Sequence, residues 1–132
     1  MAHDARGKER ANELSRIIIG AAIEVHRELG PGLLESAYEA CLCRELALRG
    51  LAFDRQLLLP VVYKGMEIDA AYRIDIKVGG LVVVELKAVD QIGPIHEAQL
   101  LTYLRLSNLW LGLLINFNVI MLKDGLKRLV HG

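Results

Sequence analysis

Cysteine is scarce in this 132-residue chain: Cys41 and Cys43 are too few for a disulfide framework or a closed zinc site. At i and i+2 in a helical stretch they point to different helix faces, which does not suit a disulfide between them, and they read as small buried hydrophobes. Net charge is also missing, with 16 lysines and arginines against 16 aspartates and glutamates. That removes the global basic footprint of a DNA-coating protein, while leaving room for a local basic groove. No apolar run reaches membrane-spanning length, since Ile17 to Ile23 is broken by Glu24. The polar start "MAHDARGKERANE" carries no cleavage-like segment, so a soluble, cytoplasmic protein with no membrane partner is expected. Internal repeats, low-complexity tracts and linkers are absent too.

What the chain has in quantity is apolar character, at 53% hydrophobic residues. One domain over residues 11 to 132, behind a flexible stretch 1 to 10, is the expectation for this length. Either its core is unusually complete or another subunit covers part of its surface, so a homodimer is an open expectation.

Apolar residues Leu14, Ile17, Ile18, Ala21, Ala22, Val25 and Leu29 fall on one helix face, predicting a helix over 11–29. "GPG" at 30–32 stops it. Leu34, Ala37, Tyr38, Cys41, Leu42 and Leu46 repeat the pattern to about Arg49, and Gly50 ends it. Two β-rich stretches follow, 55–65 and 66–78, divided by a Lys64–Gly65 turn. Pro60 marks the first as an edge strand or a bulged one. In the second, Tyr72, Ile74, Ile76 and Val78 alternate with Arg73, Asp75 and Lys77, giving one apolar and one charged face. "VGG" then turns the chain into "LVVVELKA". A third helix is predicted over 93–107 with Pro94 in its first turn, and "LWLGLLINF" (109–117) reads as a buried strand. Asp124–Gly125 looks like a hairpin turn between two short apolar stretches. The order predicts helices packed on a central mixed sheet, an α/β layer arrangement.

The run "LVVVELK" sets a carboxylate and an amine into a strand heading for the core, where an unpaired charge costs several kcal/mol. Glu85 and Lys87 share a strand face, roughly 6.5–7 Å apart. If the strands around Gly79–Gly80 form a hairpin, Asp75 lies opposite residues 84 to 85, and two carboxylates and a lysine converge. Two carboxylates with a few backbone or water oxygens are the usual protein share of a Mg²⁺ site. The competing reading is a structural salt bridge, since ion-pair networks imitate sites. His96, Gln99 and Tyr103 form a polar stripe at i, i+3 and i+7 on the third helix, a stripe that solvent exposure would also explain. Glu35, early in the second helix, answers the positive end of its dipole even without another role.

"GLLESAY", Gly32 to Tyr38, reads G-x-x-E-x-x-Y, and the chain resembles the small prokaryotic proteins named for that motif. The GxxExxY group is in turn similar to a branch of the PD-(D/E)XK nuclease-like superfamily. The likeness runs from "IIGAAIEVHRELGPGLLESAYE" through "YRIDIKV", "VVVELKAV", "IHEAQLLTYL" and "GLLINFN" to "LKDGLKRLV". It implies an α+β, restriction-endonuclease-like core. It implies Asp75 and Glu85 as metal ligands with the main-chain carbonyl of Leu86, and Lys87 as the catalytic lysine. Gln99 and Tyr103 match a Q-x-x-x-Y element, and Glu35 would complete or support the metal site. No proline precedes Asp75, where Ile74 stands, a departure that many members of that superfamily share. The implied activity is a Mg²⁺- or Mn²⁺-dependent phosphodiester hydrolysis of nucleic acid, DNA or RNA. The alternative is a binding or assembly module that keeps the fold and the acidic pocket without turnover; neutral charge and little surface for gripping a duplex speak for it.

Overall fold

Asp4 starts the first helix. Its side chain accepts a hydrogen bond from the N–H of Gly7 at 2.7 Å, the capping contact a helix N-terminus needs. In the computed structural model, which describes residues 3 to 132, helix α1 therefore runs Ala5–Leu29. It begins six residues before the first apolar repeat at Ala11, so residues 5 to 10, expected within a flexible stretch, are helical. Met1 and Ala2 of that stretch lie outside the described residues. Helix α2 (Glu35–Leu48) follows the Gly30–Gly32 link. Leu34, expected in its apolar face, precedes the helix and stays exposed.

Strands β1 (Phe53–Tyr63) and β2 (Met66–Val78) form a long antiparallel hairpin, and β3 (Val82–Lys87) pairs antiparallel with β2. Helix α3 (Pro94–Ser107) crosses over to β4 (Leu111–Asn116), which lies parallel to β3, and β5 (Leu126–Val130) closes the other edge antiparallel. The sheet order is β1-β2-β3-β4-β5. This is the expected mixed sheet with helices on both faces, an α+β arrangement of the restriction-endonuclease-like type. Strands β3 and β4 sit in the middle because a crossover helix lets parallel strands bury both faces, and both are apolar almost throughout. Among the described residues no helix is long and apolar enough to cross a membrane.

Two cores flank the sheet. Leu14, Ile18, Ala22, Tyr38, Leu42 and Leu46 of α1 and α2 pack on Ile76, Val84, Leu86 and Leu113. On the opposite face Leu100 and Leu104 of α3 pack on Ile74, Val83 and Leu114. Ile74 and Ile76 stand two apart and so read from the sequence as one apolar face, yet they enter different cores. The strand changes the layer it serves between them, at Asp75.

Pro60 produces both of its expected effects: β1 is an edge strand, and its pairing slips there. Leu59 pairs with Tyr72 and Val61 with Ile68, so residue 60 alone faces residues 69 to 71. Ala70 takes a left-handed conformation (φ 50°) inside that bulge. Beyond it the hairpin projects from the sheet and ends at the Lys64–Gly65 turn, with Val62, Tyr63 and Met66 exposed.

The Asp124–Gly125 pair does not make the expected hairpin. Leu122–Gly125 is a single 3-10 turn, and β5 pairs with β4 instead of with residues 119–121. A Cβ on Gly125 would lie 2.1 Å from the carbonyl oxygen of Asn116, so this glycine lets the chain pass against the end of β4.

Candidate functional site

The β2–β3 ladder stops at Ile76–Val84, one pair short of Asp75 and Glu85. From there side chains take over the bonds. The N–H of Asp75 donates to a Glu85 carboxylate oxygen at 2.8 Å, and the N–H of Leu86 donates to an Asp75 carboxylate oxygen at 2.9 Å. The strands thus part while their end residues remain tied, and both carboxylates are fixed by the sheet backbone. Valines 82 to 84, all buried, anchor the strand that carries Glu85.

Burial sets the electrostatics. Glu85 is only 3% exposed. Burial first, and the neighbouring Asp75 charge second, push its carboxyl up to about 8. Asp75 is raised by burial too, against the hydrogen bond from Leu86 that favours its charged form. Lys87 forms no ion pair with either carboxylate among the described residues. Its ammonium donates instead to the Gln99 side-chain oxygen at 3.1 Å, and the Gln99 amide donates to the Tyr103 hydroxyl at 3.1 Å. The salt-bridge reading of Glu85 and Lys87 therefore finds no support in the geometry.

Helix α2 brings Glu35 to the same place through its tyrosine. Tyr38 is fully buried, stacked on Phe117 at 4.6 Å between ring centres. Its hydroxyl donates to the carbonyl of Gly30 at 2.6 Å and accepts from the N–H of Leu33 at 3.0 Å. The tyrosine of G-x-x-E-x-x-Y thus clasps the Gly30–Leu33 link and fixes where α2 begins. Glu35, in its first turn, is raised by partial burial and then by the Asp75 charge.

Asp75, Glu85, Lys87, Gln99, Tyr103 and Glu35 all line one cavity of about 350 Å³. Every site side chain expected from the sequence is in it. Leu86 contributes its backbone, while its side chain lies in the core under α1 and α2. His96, of the polar stripe, is elsewhere: its ring nitrogen accepts from the N–H of Gly93 at 2.9 Å and caps α3. The opposite wall comes from the hairpin, where the Pro60 bulge turns Ala70 and Ala71 toward the cavity beside Leu58 and Tyr72. Tyr72 packs against Tyr103, their ring centres 5.1 Å apart.

Three groups escaped the sequence reading. Arg73 lines the cavity as a second cation. Glu39, 6% exposed on α2, pairs with Arg55 at 2.6 Å and accepts from the amide of Gln56. Gln56 stands opposite Asp75, between the pairs Arg55–Ile76 and Leu57–Ile74. Glu39 follows Glu35 by one helical turn, and that spacing was the available hint that both face the sheet.

The donor set fits a hard divalent cation. Two backbone-fixed carboxyl groups face one cavity, and burial raises both, so a positive charge placed between them would favour their ionised forms. Among the described residues no three carboxylate, histidine or cysteine side chains are grouped closely enough to hold an ion. The close donors are the Asp75–Glu85 pair, and Glu35 lines the cavity without completing a trio.

A family model described as the PD-(D/E)XK nuclease superfamily matches residues 12–129. Neither the curated proteins nor the solved structures contain a match.

Proposed function

The chain belongs to the PD-(D/E)XK nuclease superfamily, and from that premise we propose that it is a metal-dependent phosphodiesterase acting on nucleic acid, a member of the GxxExxY branch with residues 11 to 132 as its catalytic domain. One observation carries the reading: Asp75, Glu85, Lys87 and Gln99, from two strands and a helix, converge on one cavity with both carboxylates held by backbone N–H groups.

Asp75, Glu85 and the main-chain carbonyl of Leu86 would hold Mg²⁺ or Mn²⁺, with Glu35 as a further carboxylate beside them. When bound, such an ion supplies a water made nucleophilic at neutral pH and neutralises charge on the phosphoryl group. Lys87, which has no carboxylate partner among the described residues, offers its ammonium to a phosphate oxygen where negative charge builds up. Gln99 holds that ammonium in place and is itself held by Tyr103. Arg73 adds a second positive group for the phosphate backbone. The substrate class is nucleic acid, DNA or RNA.

The proposal extends to a cytoplasmic protein and to a homodimer, the latter supported by the exposed apolar residues at the hairpin tip. The catalytic reading is tested by incubating labelled single- and double-stranded DNA and RNA with Mg²⁺ or Mn²⁺ and wild-type or Lys87→Ala protein. Metal-dependent cleavage by wild type that the variant loses supports it; cleavage that survives the substitution refutes it.

A further inference from the structure

Gln56 holds a backbone conformation that its residue type disfavours. Its φ is 53°, in the left-handed region, in mid-strand and without the freedom of glycine. Non-glycine residues in that region persist where their surroundings impose them, and such positions cluster at functional sites. Register puts Gln56 directly across β1–β2 from Asp75. That cross-strand pair is missing from the ladder, although its neighbours on both sides are present.

The side chain explains what is gained. The Gln56 amide donates to the carboxylate of Glu39, which is buried on α2 and anchored by Arg55 at 2.6 Å. The same amide group interacts with the Asp75 carboxyl and favours its charged form. An amide is suited to this position because it is neutral. Glu39 and Asp75 repel one another, and a donor between them offsets that repulsion without competing as a cation.

We propose that Gln56 is a positioning residue for Asp75: held left-handed across the strand pair and tied to the Arg55-anchored Glu39, it orients the Asp75 carboxylate toward the cavity for a divalent cation. This rests on the reading of Asp75 and Glu85 as a metal site. Outer partners that orient a metal ligand typically change affinity by about 10–100-fold when removed.

The test is Mn²⁺ titration calorimetry on the full chain, with wild type, Q56G and Q56A, alongside thermal melts in chelator. Both variants lose the amide, but only Q56G relieves the left-handed backbone, so Q56G should melt at or above the temperature of Q56A. The proposal expects both to bind Mn²⁺ about tenfold more weakly than wild type, whatever their order of melting. Wild-type affinity in a folded variant overturns it, as does affinity that merely tracks melting temperature across the three proteins. A wild type that takes up no Mn²⁺ overturns the metal reading beneath it, a distinguishable result.

Discussion

Asp75 and Glu85 are tied backbone to side chain across the parting strands β2 and β3. The Asp75 N–H donates to the Glu85 carboxylate at 2.8 Å, and the Asp75 carboxylate accepts from Leu86, the next residue after Glu85, at 2.9 Å. Each acid thereby satisfies a backbone donor that the ladder has abandoned, which fixes its direction. The two carboxyl groups are left side by side in a poorly solvated place, and the chain's behaviour with pH should show it.

Glu85 has a carboxyl raised from 4.5 to about 8 in the fold. The folded state therefore keeps a proton that the unfolded chain gives up. This contribution to stability is fully present below pH 4.5 and is lost as pH rises through about 8. Glu85→Gln removes the penalty. Urea unfolding in chelator should find the variant little changed at pH 5 and more stable than wild type by about 2 kcal/mol or more at pH 9. An equal difference at both pH values would contradict the assignment.

Lys87→Ala separates holding the metal from using it. Cleavage should fall by about 10²–10³-fold, the loss typical for one preorganised electrostatic donor. Mn²⁺ affinity should change little, because Lys87 pairs with Gln99 and with neither carboxylate. Kinetics and calorimetry on the same preparation check the split.

Gln99→Ala releases the lysine ammonium without removing it. The expected outcome is a kcat lowered by less than Lys87→Ala lowers it. Stability should stay within about 0.5 kcal/mol, since Gln99 is only half-buried. A variant as inactive as Lys87→Ala would mean that Gln99 touches the substrate itself.

Tyr38→Phe keeps the ring stack on Phe117 and removes the hydroxyl that bridges Gly30 and Leu33. Two part-buried hydrogen bonds to the backbone of Gly30 and Leu33 are lost, so chemical denaturation should show a loss of about 0.5–1.5 kcal/mol. An unchanged midpoint would show that the Gly30–Leu33 link holds its shape without the clasp.

The architecture was legible because apolar spacing survives in the elements that bury one face. Leu14, Ile18 and Val25 mark α1, and Leu42 and Leu46 mark α2. Pro60 announced the bulge and Lys64–Gly65 the turn, both through backbone restrictions that sequence displays directly. The Asp124–Gly125 turn misled because its glycine answers a close approach to Asn116, a tertiary fact. The helix start at Ala5 was missed because its polar first turns carry no apolar repeat, and a capping aspartate alone is a weak sign.

The candidate site divides in the same way. Asp75, Glu85 and Lys87 could be placed together because a tight glycine turn fixes hairpin register to within a residue. Gln56 could not, since a left-handed residue inside a strand leaves no periodic trace. Glu39 reads along the chain as an ordinary charge beside Tyr38, and only the fold shows that it is buried against Arg55. Ile74 and Ile76 look identical in pattern, and the switch of layer between them depends on how two cores share one sheet.

The central claim is that Asp75 and Glu85 together hold a divalent cation. Crystals soaked in Mn²⁺ and measured at an anomalous wavelength test it most directly. The account predicts a manganese peak between the two carboxylates in wild type and none there in Glu85→Ala. Wild-type crystals that take up manganese elsewhere, or show no peak between Asp75 and Glu85, would contradict it.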